Sequence, residues 1–88
     1  MYSRNTVVEN KTGLHARPAS IFVATASRFK SDVSVEKASR KVNAKSIVSI
    51  LSLGVSKGTD ITITAEGPDE EEAVLTLVEL IESRFGEE

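Results

Sequence analysis

The 88-residue sequence has no cysteine and no tryptophan, and only one histidine, one methionine and two prolines. Without cysteine there can be no disulfide and no thiolate metal site. A single histidine leaves zinc without its usual ligands, so no metal and no cofactor are expected. Aromatic residues make up 5% of the chain, too few for the stacking platforms of a nucleic-acid binder. No apolar run approaches the roughly 20 residues needed to cross a bilayer, so membrane insertion is not expected. Met1-Tyr2-Ser3-Arg4 leads directly into a strand-like segment with no signal-peptide core. The cytoplasm is the expected compartment. With no repeat, linker or low-complexity stretch, residues 1–88 read as one domain of modest core.

Charge is plentiful but uneven. The formal net charge is −2, yet residues 1–30 hold five Lys/Arg against one Glu, and residues 31–60 hold five against three Asp/Glu. Residues 61–88 reverse this, with one Arg against nine Asp/Glu. The acidic end reads as a solvated helix face. The basic portion suits phosphate or acidic protein partners, and is too dilute for direct nucleic-acid binding.

Patterning gives the order of elements. Arg4–Glu9 is rich in β-branched residues and reads as a first strand, followed by turn residues Asn10–Gly13. Ala16 to about Ser27 reads as a helix, with an apolar stripe at Ala19, Phe22, Val23 and Ala26, extended by Phe29. Asp32–Lys37 alternates like a half-buried strand, Ala38–Arg40 can turn, and Lys41–Ala44 returns as a short strand. Ser46–Leu53 reads as a two-turn helix with Ser46 at its N-cap and Gly54 as its stop. Asp60–Glu66 alternates most clearly of all, and Gly67-Pro68 breaks it. The last helix opens at Asp69, with Glu72 in the capping-box position. Its stripe is Val74, Leu77, Val78, Ile81 and Phe85, and Gly86 ends it. The order βαββαβα, with four strands and three helices on one face, predicts an α+β open-faced two-layer sandwich.

The stretch Gly13-Leu14-His15-Ala16-Arg17-Pro18-Ala19-Ser20 holds the only histidine. Pro18 falls in the first turn of the apolar-periodic run, where a missing N–H costs nothing. His15 then sits at or just before the N-cap. The Ala16 and Arg17 amides have no helical carbonyl partner, and with the helix dipole they form an anion cradle beside the imidazole. Arg17 adds a fork of further donors. An imidazole with an ordinary pKa of about 6.5 is both a competent nucleophile and a fair leaving group near neutrality. That combination suits transient carriage of a phosphoryl group. A histidine at a helix start is also, on residues alone, a common cap or surface residue.

The same eight residues resemble the active-site signature of the histidine-containing phosphocarrier family, HPr, of the phosphoenolpyruvate-dependent sugar phosphotransferase system. A second stretch, Lys45-Ser46-Ile47-Val48-Ser49-Ile50-Leu51-Ser52-Leu53-Gly54, resembles that family's regulatory-serine motif, and the likeness spans nearly the whole chain. The resemblance implies an antiparallel sheet. It further implies that His15 accepts a phosphoryl group, at Nδ1, from enzyme I and passes it to sugar-specific IIA domains. The protein would then be a carrier with a phosphohistidine intermediate, without independent enzymatic turnover. Some regulatory relatives lack the reactive histidine, and a paralogue acting in catabolite or nitrogen control is the alternative reading.

Ser46 is expected to be a helix cap in any case. The resemblance adds a second role, as target of HPr kinase/phosphorylase. It implies that the seryl-phosphorylated form binds a catabolite-control repressor. Phosphate at a helix N-terminus is tolerated electrostatically, so the effect would act on partners. The helix it caps is too apolar for one buried stripe: Ile50 and Leu53 are expected to face the core, leaving Ile47, Val48 and Leu51 exposed. Such clusters mark partner surfaces, and the family uses this one. Ser20 and Ile21 on the first helix are expected to join it. Val48 and Leu51 stand where methionine is frequent in the family, and Ser49 where glycine is, which bears on partner preference.

Overall fold

Alternation along Thr59–Glu66 decides the middle of the molecule, because Ile61, Ile63 and Ala65 are buried while Asp60 and Glu66 are exposed. Around that strand the chain forms β1 (Tyr2–Val8), α1 (Ala16–Ala26), β2 (Asp32–Lys37), β3 (Arg40–Asn43), α2 (Ile47–Leu53), β4 (Thr59–Glu66) and α3 (Glu70–Glu82), with a short 3-10 turn at Arg84–Gly86. The computed structural model describes residues 1–86; the last two positions of the stretch read as one domain, 87 and 88, lie outside the described residues.

The four strands form one antiparallel sheet in the order β1-β4-β2-β3. Registers such as Thr6 opposite Ile61 and Val35 opposite Ile63 put the buried side chains on the face covered by the helices. Val8, Val33, Val35, Ile61, Ile63 and Ala65 meet Ala19, Phe22 and Ala26 of α1, Ile50 and Leu53 of α2, and Ala73, Val74, Leu77, Val78 and Ile81 of α3. Phe22 is fully buried among them; truncating such a residue to alanine typically costs about 3–5 kcal/mol. The expected α+β sandwich is therefore the observed one.

Differences from the sequence reading are local. β1 starts two residues before Arg4 and stops short of Glu9, and β4 starts at Thr59. β3 runs over Arg40–Asn43, not Lys41–Ala44, because Lys37 and Arg40 pair across a two-residue turn in which Ala38 takes a φ of 56°. Val23 packs against the core half-buried, and Phe29 is buried beyond the helix end. Phe85 packs on the core, but from the 3-10 turn with a φ of 54°, after α3 has ended at Glu82.

The start of α3 departs most from expectation. Asp69 occupies the N-cap but makes no capping bond with its side chain. Its carboxylate accepts instead from the Lys30 and Ser31 amides, each at 2.9 Å, and from the Ser31 hydroxyl. Three donors outcompete the single amide a cap would satisfy, and they hold its carboxyl down at about 2, with the Ser31 hydroxyl the largest cause and the Lys30 amide next. Glu72 makes no capping box. Glu70 reaches back, accepting from the Gly67 amide at 3.1 Å and pairing with the Met1 amino group at 2.8 Å. That amino group is the main cause of its depressed carboxyl pKa.

Candidate functional site

The site begins in the turn after β1. Buried Asn10 donates from its side-chain amide to the Gly13 carbonyl at 2.9 Å, and the Gly13 amide donates to the Asn10 carbonyl at 3.2 Å. Gly13 has a φ of 65° and lies so close to the segment after α2 that a β-carbon would stand 2.3 Å from the Val55 carbonyl oxygen. Only glycine meets both conditions without strain. The next residue, Leu14, is fully buried, and its amide donates to that same Val55 oxygen at 2.9 Å. The loop is thus fixed from below just before it emerges.

His15 follows, exposed, as the N-cap of α1, with extended backbone (φ −127°, ψ 159°) and no capping bond from its side chain. Its imidazole is therefore not consumed by the structural role open to a histidine at that position. Ala16, the first residue of α1 as the sequence predicts, takes a left-handed φ of 50°. A left-handed conformation at a non-glycine residue costs about 1–2 kcal/mol, and here it re-aims the chain between the imidazole and the helix. Ala16, Arg17 and Ser20 are all exposed, while Pro18 and Ala19 anchor the first turn in the core. Sequence patterning could not show the Ala16 conformation, since alanine carries no signal for it.

Ser46 sits at the N-cap of α2, and its hydroxyl accepts from the Ser49 amide at 3.3 Å. Gly54, at φ 69°, closes the other end. Val55, which receives the Leu14 amide, comes immediately after that stop. A seven-residue helix is about 10 Å long, so Ser46 and the His15 loop lie at opposite ends of α2. Between them Val48 is 72% exposed, Leu51 41% and Ile47 37%, while Ile50 and Leu53 face the core. Ile21 on α1, expected on the exposed side, is half-buried.

Side-chain bonds invisible in the periodicity complete the surroundings. Lys45 donates to the Phe29 carbonyl at 2.8 Å, tying the approach to Ser46 to the segment after α1. Lys37 and Arg40 reach from the β2–β3 hairpin to carbonyls at the end of α2. Two surface clefts, one on the open sheet face beside Asp32, Lys41 and Glu66, the other between Arg28 and Glu79, are lined by other residues than His15. Among the described residues no group of three or more His, Cys, Asp or Glu could hold a metal, and no helix is long and apolar enough to cross a membrane.

The fold is a small open-faced sandwich whose one histidine is exposed at a helix start, with the loop before it docked on Val55. Comparisons with known proteins give its family. Residues 2–83 match the family model described as "PTS HPr component phosphorylation site". The chain is 60% identical to HPr-C-His from Thermoanaerobacter tengcongensis, whose crystal structure superposes with a TM-score of 0.98 over 100% of this chain and 99% of that one. Against the phosphocarrier protein HPr from Bacillus anthracis str. Ames, identity is 46% and the TM-score 0.89, covering 91% and 95% of the two chains. The HPr-like protein Crh of Bacillus subtilis (strain 168) is 50% identical over 82 residues, 93% of this chain and 96% of Crh. The chain belongs to the HPr family of phosphocarrier proteins.

Proposed function

We propose that this protein carries a phosphoryl group on the His15 imidazole, taking it from phosphoryl-charged enzyme I and giving it to sugar-specific IIA domains. The observation behind the reading is an exposed imidazole at the start of α1 with no capping bond to hold it. In the transfer, a neutral ring nitrogen forms the new N–P bond as the donor's bond to phosphorus breaks. The reverse exchange onto the acceptor restores the neutral ring. The Ala16 and Arg17 amides and the Arg17 guanidinium are the donors suited to the phosphoryl oxygens. The protein has no turnover of its own in this reading, needs no cofactor, and works in the cytoplasm as a single domain.

Ser46 serves as the regulatory position in the same proposal. A phosphate placed there by an HPr kinase/phosphorylase would sit at the far end of the α2 surface formed by Ile47, Val48 and Leu51. Ser20 and the partly buried Ile21 extend that surface. Two added negative charges would hinder enzyme I and favour a catabolite-control repressor. Likeness to Crh supports a second reading, in which the chain acts chiefly as a regulatory binding partner.

Incubation with enzyme I and phosphoenolpyruvate decides between them. An acid-labile adduct that His15→Ala abolishes, and that passes onward to a IIA domain, is the carrier outcome. An adduct that forms but does not move on favours the regulatory role, and undiminished labelling of His15→Ala refutes His15 as the acceptor.

A further inference from the structure

The β2–β3 hairpin reaches the His15 loop through two bonded steps. Lys37 and Arg40 are paired residues flanking the hairpin turn. The Lys37 ammonium donates to the Gly54 carbonyl at 2.8 Å and to the Leu53 carbonyl at 3.3 Å. The Arg40 guanidinium donates to the Ser52 carbonyl at 2.9 Å and to its hydroxyl at 3.0 Å. Cations at the end of a helix satisfy carbonyls that have no internal partner and complement the dipole.

Gly54 is more than a helix stop. Its φ of 69° is a conformation glycine enters and leaves freely, so it is the natural hinge between α2 and Val55. The Gly54 carbonyl belongs to the same planar peptide unit as the Val55 nitrogen and Cα. A donor on that carbonyl therefore restrains the orientation of Val55. Val55 in turn is where the loop docks, through the Leu14 amide and the close approach of Gly13. We propose that Lys37 is a positioning residue for His15, holding the Gly54 hinge so that the Val55 carbonyl stays aimed at the Leu14 amide.

The proposal rests on the reading of His15 as phosphoryl acceptor only for its consequence in transfer; the coupling itself can be read without phosphate. Lys37→Met keeps the aliphatic stem and removes the donor. Its Leu14 amide is expected to exchange with solvent about three- to tenfold faster, the scale of one charge-assisted bond at a partly exposed site. The His15 ring resonances should shift. The Ile50 amide, bonded to the Ser46 carbonyl within α2, should exchange as in the parent. Lys37→Arg, which retains a donor, should restore Leu14 protection. With enzyme I, kcat for phosphoryl acceptance should fall about threefold in Lys37→Met while KM holds, since Ile47, Val48 and Leu51 are untouched. If exchange quickens at Gly54 alone, with Leu14 and the His15 resonances as in the parent, Lys37 merely caps α2 and the proposal fails. Should the parent protein accept no phosphoryl group at all, the acceptor reading falls, and Leu14 exchange with the His15 resonances still decides the coupling.

Discussion

Gly13 and Val55 are in closer contact than any other amino acid at position 13 would permit. A β-carbon there would lie 2.3 Å from the Val55 carbonyl oxygen and 2.7 Å from the Ser56 Cα, both backbone atoms that cannot swing aside. The positive φ of Gly13 adds a second penalty. Gly13→Ala is therefore expected to lose about 2–4 kcal/mol in urea unfolding, combining the left-handed cost with overpacking. It should also displace the loop that carries His15, so phosphoryl acceptance measured under folding conditions should fall more than stability alone accounts for. A variant as stable and as fast as the parent would show that the loop has another seat.

What was legible in the chain was whatever leaves a period. Ile61, Ile63 and Ala65 alternate, the stripes of α1 and α3 recur every three or four residues, and these alone order the layers. Ser46 and Gly54 announced the ends of α2 by their own chemistry. The Asp69 latch was not legible, because its donors at Lys30 and Ser31 lie 39 and 38 positions away and a side chain choosing between local and distant amides leaves no trace in spacing. The hairpin clamp on α2 was hidden for the same reason. Lys37 read only as the end of a strand and Arg40 only as part of the turn after it. Ala16 was hidden because alanine carries no sequence signal for a left-handed φ.

Asp69 makes the acid limb of stability specific. Its carboxyl is lowered from an ordinary 3.8 to about 2, so the unfolded chain binds the proton more readily than the folded one. The stabilisation is fully present above pH 3.8 and is lost as pH falls through the folded value near 2. Asp69→Asn cannot titrate there. Urea unfolding of the two proteins should differ most above pH 4 and converge towards pH 2. Parallel curves across that range would mean the Lys30–Ser31 contacts are not maintained in solution.

Val48 separates docking from folding. At 72% exposed it contributes little to the core, so Val48→Glu should leave the unfolding midpoint within about 0.5 kcal/mol of the parent. A charge in the middle of an apolar contact surface should nevertheless raise KM for enzyme I about tenfold or more, in the range typical of a central interface residue. Equal KM values would remove α2 from the contact.

Ser46 has a structural task that can be distinguished from a regulatory one. Its hydroxyl accepts from the Ser49 amide, a capping bond whose removal typically costs about 1 kcal/mol. Ser46→Ala should therefore be less stable by about that amount, yet accept phosphoryl groups at the parent rate, because the surface keeps its charge. Ser46→Asp should do the opposite. Aspartate caps as well as serine and suits the positive end of the helix, so stability should hold, while the new charge at the edge of the Ile47–Val48–Leu51 surface slows transfer to His15. The two variants thus move stability and transfer in crossed directions. Initial rates with enzyme I, taken beside unfolding midpoints, read both. A Ser46→Asp protein that accepts phosphoryl groups as fast as the parent would leave Ser46 a cap and nothing more.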